Sequence, residues 1–395
     1  MLRTITFAAL SLMLVTAIIY RPSEAFQASL QGLTVWWNIV FPGLLPFLTM
    51  LELMLAFGAV HALGTLLHPL MRRLFRLPGE AGFALVLGWT GGFPAGAESA
   101  AALRKTGLLT RSEGQRLLEM AHMPSPLFII VVVGAGFLNR PELGLAIAGT
   151  VWLTGLLSSL VLARFSREQP QMAEEQPRHT GLFRRAAAAM ADARNRDGRS
   201  FGKTLGDAVT VSVAKLMAIG GFMMMCAVIA GLVETLLNNA IPAPLLTGLL
   251  ESHIGAFSAA TAQIPGGQPW NIAAITAILS WGGLSSLLQA GSALGGTDLS
   301  VWRLAVHRLL QAILAFILSL TVTNLIVKYA GAVIDSSPAM LQNGSHEKRT
   351  GPWRVSELPD IWPHMPVALL TFAGILVLLC LISAGAARRD RPYGR

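Results

Sequence analysis

The sequence predicts an all-α, polytopic membrane protein with about eight transmembrane helices and two re-entrant hairpins, arranged as an inverted-topology repeat. Three observations carry this reading: composition, the placement of basic residues, and apolar segments interrupted by glycine and proline. Of 395 residues, 53% are hydrophobic and 13% charged, and mean hydropathy is +0.57. A water-facing surface does not tolerate that balance, so a bilayer must act as the solvent. The formal charge of +9 comes from Lys and Arg lying between apolar runs. That is the pattern of cytoplasmic loops, whereas a nucleic-acid reader gathers its charge on one folded face, so no nucleic-acid partner is expected.

Taken in order, the run Thr4–Tyr20 follows Arg3 and precedes Arg21, Pro22, Ser23 and Glu24. No small-residue cleavage site follows it, and it reads as a retained first helix. Runs then occur at Leu33–Val60, Ala81–Leu103, Leu117–Phe137 and Leu143–Ala163 in the first half. In the second half they occur at Ala208–Leu237, Leu245–Ile264, Ile272–Leu294, Leu304–Val327 and Val367–Ala387. A span needs about 20 apolar residues.

Arg72, Arg73 and Arg76 mark one loop as cytoplasmic, and Arg104, Lys105, Arg111 and Arg116 mark the next as cytoplasmic too. The run between them must therefore enter and leave on one side. Its centre, Gly88–Ala97 (GWTGGFPAGA), suits a turn at membrane depth better than an uninterrupted helix. In the second half, the basic loop Arg164–Lys203 and the tail with Arg388, Arg389, Arg391 and Arg395 both read as inside. Asn238–Pro244 carries no positive charge and reads as external. An even number of crossings is then required, and Leu245–Ile264, broken by Glu251, Ser252, His253 and Gly255, becomes a hairpin entering from outside. Faint echoes accompany this: Gly248–Thr261 answers Gly88–Ala101, and Ser280–Leu288 answers Ala121–Ile129.

The expected organisation is a first helix with its connection over 1–32, a first repeat over 33–163 and a basic cytoplasmic linker over 164–205. A second repeat over 206–328, an external loop over 329–366, and a last helix with basic tail over 367–395 complete it. Both termini are expected in the cytoplasm, in the cell membrane. Within the linker, Leu182–Arg199 reads as a solvated connection in preference to an amphipathic helix on the inner surface.

Ionisable and polar groups inside apolar runs are costly and mark function, and inverted repeats with interrupted helices place a binding site near the bilayer midplane. The candidate substrate-binding set is Glu52, Pro94, Gly96, Glu98, Ser125, Pro126, Glu251, Ser285 and Gln289. Pro124 and Pro126 free backbone carbonyls around Ser125. Gly282 and Gly283 either do the same for Ser285, Ser286 and Gln289 or serve close helix packing. Glu52 is either a cavity ligand or the partner of a basic residue such as Lys215. Glu251 and His253 read most simply as a pair at the external edge, and His307, Arg303 and Arg308 as groups flanking a helix start. No phosphate loop, HExxH or CxxC occurs, so no enzyme activity, metal or cofactor is expected. The partners expected are a small polar solute with a coupling cation, the lipid bilayer, and further copies of the chain or other membrane proteins.

The strings LPFLTMLELMLAFGAV (Leu45–Val60), GGFPAGAESAAALRKTGLLTRSEGQRLLEMAHMPSPLFIIVVVGAGF (Gly91–Phe137), WGGLSSLLQ (Trp281–Gln289) and LAVHRLLQAILA (Leu304–Ala315) resemble the sporulation integral membrane protein YlbJ family. The resemblance covers most of Trp37–Val327. It implies two repeats of the nucleoside-recognition Gate domain, shared in part with concentrative nucleoside transporters and the ferrous-iron permease FeoB. It also implies a role in sporulation, at spore envelope or cortex assembly. By that pattern Pro94, Gly96 and Ala97 form the hairpin motif, and Ser125, Pro126, Leu127 and Phe128 the broken-helix motif. His122 and Met123 stand where polar, Asn-like residues are expected. No GTPase domain accompanies the chain, which argues against iron transport. The expected function is a permease for a small polar, nucleoside-like solute. The alternative is a non-transporting scaffold that recruits other sporulation proteins through Arg164–Lys203 and Tyr329–Pro366.

Overall fold

A computed structural model describes residues 2–165, 181–237, 240–330, 370, 374 and 377–385. The described residues are helical with short connections. In chain order the helices are α1 (Leu2–Tyr20), α2 (Pro22–Val35), α3 (Phe41–Ala56), α4 (Ala59–Leu70), α5 (Ala81–Gly91), α6 (Ala95–Lys105), α7 (Arg111–Ala121) and α8 (Pro141–Phe165). After them come α9 (Leu182–Asp197), α10 (Phe201–Leu236), α11 (Ala243–Leu250), α12 (Ser252–Thr261), α13 (Gln268–Trp281), α14 (Gly283–Ala293) and α15 (Val301–Ala330). Wider π-type turns occupy Trp36–Val40, Met71–Phe75 and Phe128–Phe137. Among the described residues five stretches are long and apolar enough to cross a membrane: Pro22–Ala56, Glu142–Arg164, Phe201–Leu236, Gln268–Ala293 and Val301–Val322. Ala8–Tyr20, Ala81–Gly91 and Phe128–Phe137 are shorter apolar helices.

The expected run Leu33–Val60 is in fact one helix starting at Pro22, because the π-type turn absorbs the missing donor of Pro42 without breaking the chain's direction. At 35 residues it is about 50 Å long, well beyond a hydrocarbon core of about 30 Å. It packs antiparallel to α10: Ala28 lies against Gly231, Gly32 against Met224, Trp36 against Gly220, and Phe57 stacks near Phe201. The Trp36 indole donates to the Leu216 carbonyl at 2.9 Å, fixing the register of the two long helices.

The chain breaks at Phe57–Gly58, where Gly58 takes φ +78 and lies against Met190 of α9. The segment expected as a solvated linker is thus helical over Leu182–Asp197 and docked on α4. Ala-rich turns on one face let it approach, with Ala186 buried. Near the end of α4, which contains Pro69, the Ser383 hydroxyl of the last helix donates to Leu66 O (2.5 Å) and accepts from Leu70 N (3.3 Å).

Contacts sort the turns into two ends. Arg104 pairs in bidentate fashion with Asp298 at 2.9 Å, so the turns after α6 and α14 share one end. Arg116 donates to Phe75 O and Arg76 O, placing the turn after α4 there as well. Phe57 stacks on Phe201, and His61, one turn further on, packs against Phe83 at the start of α5 just after that turn, which brings the start of α10 to this end too. At the opposite end, the α1–α2 junction packs on the end of α10 through Ala25, Val228 and Leu232. The parts of the expected linker at 166–180, Asn238 and Asn239, the external loop at 331–366 and the tail at 386–395 lie outside the described residues.

Candidate functional site

Helices α5 and α6 form a tight hairpin with its tip at Gly92–Phe93–Pro94. Gly91 faces Ala95, Gly88 faces Gly96, and the Ser99 hydroxyl reaches back to Ala84 O. Gly88 and Gly96 both touch the carbonyl end of Ala121 on α7, an approach that a side chain at either position would block. The Trp89 indole donates to Met120 O at 2.9 Å and holds the hairpin on α7.

Helices α11 and α12 form the second hairpin, with a one-residue tip. Glu251 alone has extended backbone (φ −150, ψ 131), ending α11 and capping α12. Its carboxylate accepts from Ile254 N at 2.8 Å and contacts His253 Nδ1 at 2.5 Å. A carboxylate on the orphan N–H groups of a helix start is a favourable cap. Gly248 and Gly255 meet as Gly88 and Gly96 do. This hairpin leaves from the end of α10 that packs on the α1–α2 junction, so the two hairpins enter from opposite ends of the molecule.

Two interrupted helices complete the arrangement. After α7 the helix lapses over His122–Ser125 and resumes at Pro126, with Ser125 Oγ accepting from Phe128 N at 3.1 Å. Between α13 and α14 the interruption is Gly282–Gly283, at φ +85 and +80. Each hairpin tip sits on the break that follows it in the chain: Gly92 against Ser125, and Glu251 against Gly283. Each tip also reaches the other half. The Phe93 ring lies on Gly282, and the His253 ring lies 4.2 Å from that of Phe128. An unbroken chain of contacts therefore joins Ser125, Gly92, Phe93, Gly282, Gly283 and Glu251. Four helical segments start along it, and two of these starts are capped from within it, Phe128 N by Ser125 Oγ and Ile254 N by the Glu251 carboxylate.

Beside this centre lies a buried polar cluster shared by α7 and α15. Arg308 is fully buried and donates to Gln311 Oε1 (2.6 Å), Glu119 O (2.9 Å) and the Met123 sulfur (2.9 Å). Gln311 reaches on to Val151 O at 3.2 Å. Glu119, 2% exposed, accepts from Gln115, whose amide also exchanges two hydrogen bonds with the Ser300 backbone. His122 is 0% exposed, its ring rests on Phe93 at 4.6 Å, and neither ring nitrogen has a partner among the described residues. The reading of Arg303, His307 and Arg308 as groups flanking a helix start is corrected for Arg308, which lies a full two turns inside α15.

Of the candidate residues, Pro94, Ser125, Pro126 and Glu251 lie in the chain of contacts or adjoin it, with Gly96 two residues after Pro94. Ser285 is buried near the start of α14 and Gln289 lies one turn further, half-buried. Glu98 is exposed on the first turn of α6. Glu52 stands apart: its carboxylate meets Lys215 Nζ at 2.6 Å, between α3 and α10. Glu251 is 3% exposed, so the reading of Glu251 and His253 as an external-edge pair is corrected. The hairpin carries its tip inward even though its outer end lies at the surface. Phe93 and His253 were missed as contacts between halves, although a lone aromatic and a lone histidine at glycine-rich tips signalled them.

The described residues define a multi-pass membrane protein whose two hairpins meet two interrupted helices. The chain is 33% identical over 333 residues to the sporulation integral membrane protein YlbJ of Bacillus subtilis, covering 80% of this chain and 81% of that protein. It belongs to the YlbJ family. A shorter match, 30% identical over 132 residues, links 33% of this chain to 27% of an uncharacterized protein of Alkalihalophilus pseudofirmus. No family model matches the chain. No solved structure matches it.

Proposed function

We propose that this protein is a permease of the cell membrane in a sporulating cell, moving a small polar solute by alternating access around the meeting point of the hairpin tips. The observation that carries the reading is the pairing of oppositely entering hairpins with two interrupted helices. Interrupted helices at mid-depth offer free backbone donors and carbonyls to a solute where lipid-exposed backbone has no such freedom. Ser125, half-buried at one break, and Gln289, half-buried along α14, are the side chains best placed to read it; Glu98 lies at the approach. The name of the B. subtilis relative supports a role in sporulation. The basic turns at Arg72–Arg76 and Arg104–Arg116 support a cytoplasmic position for the end that contains them. Both chain termini then lie in the cytoplasm, and the repeats are inverted with respect to the membrane.

The solute class is tested by thermal denaturation of the detergent-solubilised protein against nucleosides, nucleobases, amino acids, dicarboxylates and divalent cations. A ligand that binds only the folded state raises its apparent stability. A selective rise, lost in Ser125→Ala and Glu98→Gln, supports the permease and names the class, with nucleosides the first expectation. A flat response over the whole panel, with sporulation blocked by changes in α9 and not by those two substitutions, overturns it in favour of a scaffold.

A further inference from the structure

A groove of about 370 Å³ opens between the turn after α4 and the end of α8, lined by Arg73, Leu74, Arg76, Leu160, Ala163 and Arg164. It lies outside the hairpin centre, at the end of the molecule that holds the Arg104–Asp298 pair. Arg164 closes the cross-length stretch Glu142–Arg164, so the groove sits where that helix leaves the apolar layer.

The rim is a built feature of the fold. The π-type turn Met71–Phe75 is followed by Arg76 at φ +51, a left-handed conformation that L-residues other than Asn and Asp rarely adopt. Arg116, 93% buried by its 7% exposure, holds this turn through bonds to Phe75 O at 3.3 Å and Arg76 O at 3.0 Å. Three guanidinium groups thus share one rim above apolar walls. A guanidinium offers five N–H donors in a planar fork that matches phosphate oxygens, so contacts elsewhere leave donors for a further anion.

One face of α8 extends this site. Leu153, Leu157 and Val161 are exposed and spaced at i, i+4 and i+8, so they form a continuous apolar stripe, and Arg164 follows three residues later on the same face. An apolar stripe ending in arginines at the depth where a span ends has the layout of an acyl chain leading to its headgroup. We propose that this groove binds the phosphate of an anionic phospholipid from the leaflet at that end, with an acyl chain along Leu153, Leu157 and Val161. This holds whether or not the protein transports a solute.

The test is native mass spectrometry of the delipidated, full-length protein titrated with phosphatidylglycerol, phosphatidylcholine or the soluble headgroup analogue sn-glycerol 3-phosphate. Phosphatidylglycerol is expected to bind in preference to phosphatidylcholine. Arg73→Gln/Arg76→Gln/Arg164→Gln is expected to weaken phosphatidylglycerol binding by about a hundredfold, as each basic contact with an anionic lipid surface contributes about fivefold. If the triple variant does not fold, Arg164→Gln alone is expected to give the single fivefold step. Leu157→Asn, which interrupts the stripe with every arginine retained, is also expected to weaken it. Unchanged phosphatidylglycerol binding in the arginine variants overturns the proposal. So does binding of sn-glycerol 3-phosphate as tight as that of the lipid, which would make this a site for a free phosphate ester.

Discussion

The ring of Phe93, at the tip of the first hairpin, rests on Gly282, where the second interrupted helix breaks, so closely that a methyl group there would lie 2.9 Å from Cζ. Gly282 also takes φ +85. Alanine at this position must adopt a left-handed conformation, costing roughly 1–2 kcal/mol, and displace Phe93 as well. Gly282→Ala is therefore expected to lower the melting temperature in detergent. Gly221→Ala, in the interior of α10 where a methyl group meets nothing within 4 Å, is the control. It is expected to raise stability by up to about 1 kcal/mol. Equal behaviour of the two would contradict the tip-to-break contact.

Arg308 joins α15 to α7 by hydrogen bonds to Glu119 O and Met123. Truncation leaves the Glu119 carbonyl and Gln311 without these partners in a buried setting. Arg308→Ala is expected to cost about 3–5 kcal/mol, the range for removing one member of a buried charged network. Arg303→Ala, 55% exposed at its side chain, is expected to change stability by less than about 1 kcal/mol. Denaturant titration of both variants, followed by tryptophan fluorescence, separates the two.

Glu52 and Lys215 are a pair joining α3 to α10. Both side chains keep some exposure, and such pairs contribute up to about 1 kcal/mol. Single neutralisations, Glu52→Gln and Lys215→Met, are each expected to destabilise slightly, and the double variant by less than their sum. Additive losses in this double-mutant cycle would show that the two charges are not coupled.

Asp298 answers Arg104 across the two turns of one end, and that hydrogen-bonded pair holds the Asp298 carboxyl below the usual carboxylate range. A depressed folded-state pKa means that the pair stabilises the closed turns fully at neutral pH. This contribution is lost as pH falls through the depressed value, below about pH 4. Spin labels on Thr106→Cys and Gly295→Cys are expected to keep one short distance from pH 7 to pH 5 and to separate only below that window. In Asp298→Asn the separation is expected at every pH.

The first hairpin and both breaks were legible because glycine and proline alter the backbone wherever they stand, independent of what packs around them, and the second hairpin because the charge pattern requires an even number of crossings. Gly91–Pro94, Pro124–Pro126 and Gly282–Gly283 announce interruptions in the sequence itself, and the arginines around Ala81–Leu103 show that the first hairpin returns to its own side. The buried cluster was not legible. Glu119 and Arg308 are 189 residues apart, and only the packing of α7 on α15 turns a guanidinium flanked by Leu309 and Leu310 into a partner. The docking of α9 was hidden for a related reason: its Ala-rich face becomes a contact surface only because Gly58 lets α4 come close. The start of the long helix at Pro22 was missed because Ser23, Glu24, Gln27, Ser29 and Gln31 make its first turns polar, so the apolar run begins only at Leu33.

The sharing of Arg308, Gln311 and Ser300 with the residues of α7 has a consequence for biogenesis. Until α15 emerges from the ribosome, Glu119 and Gln115 lack the Arg308 and Ser300 groups that accompany them in the finished protein, and lipid is a poor substitute. The first half is therefore an assembly intermediate that waits for its complement. Chains truncated before α15 would be recognised as unfinished by membrane quality control, and two separately translated halves would be stable only when made together.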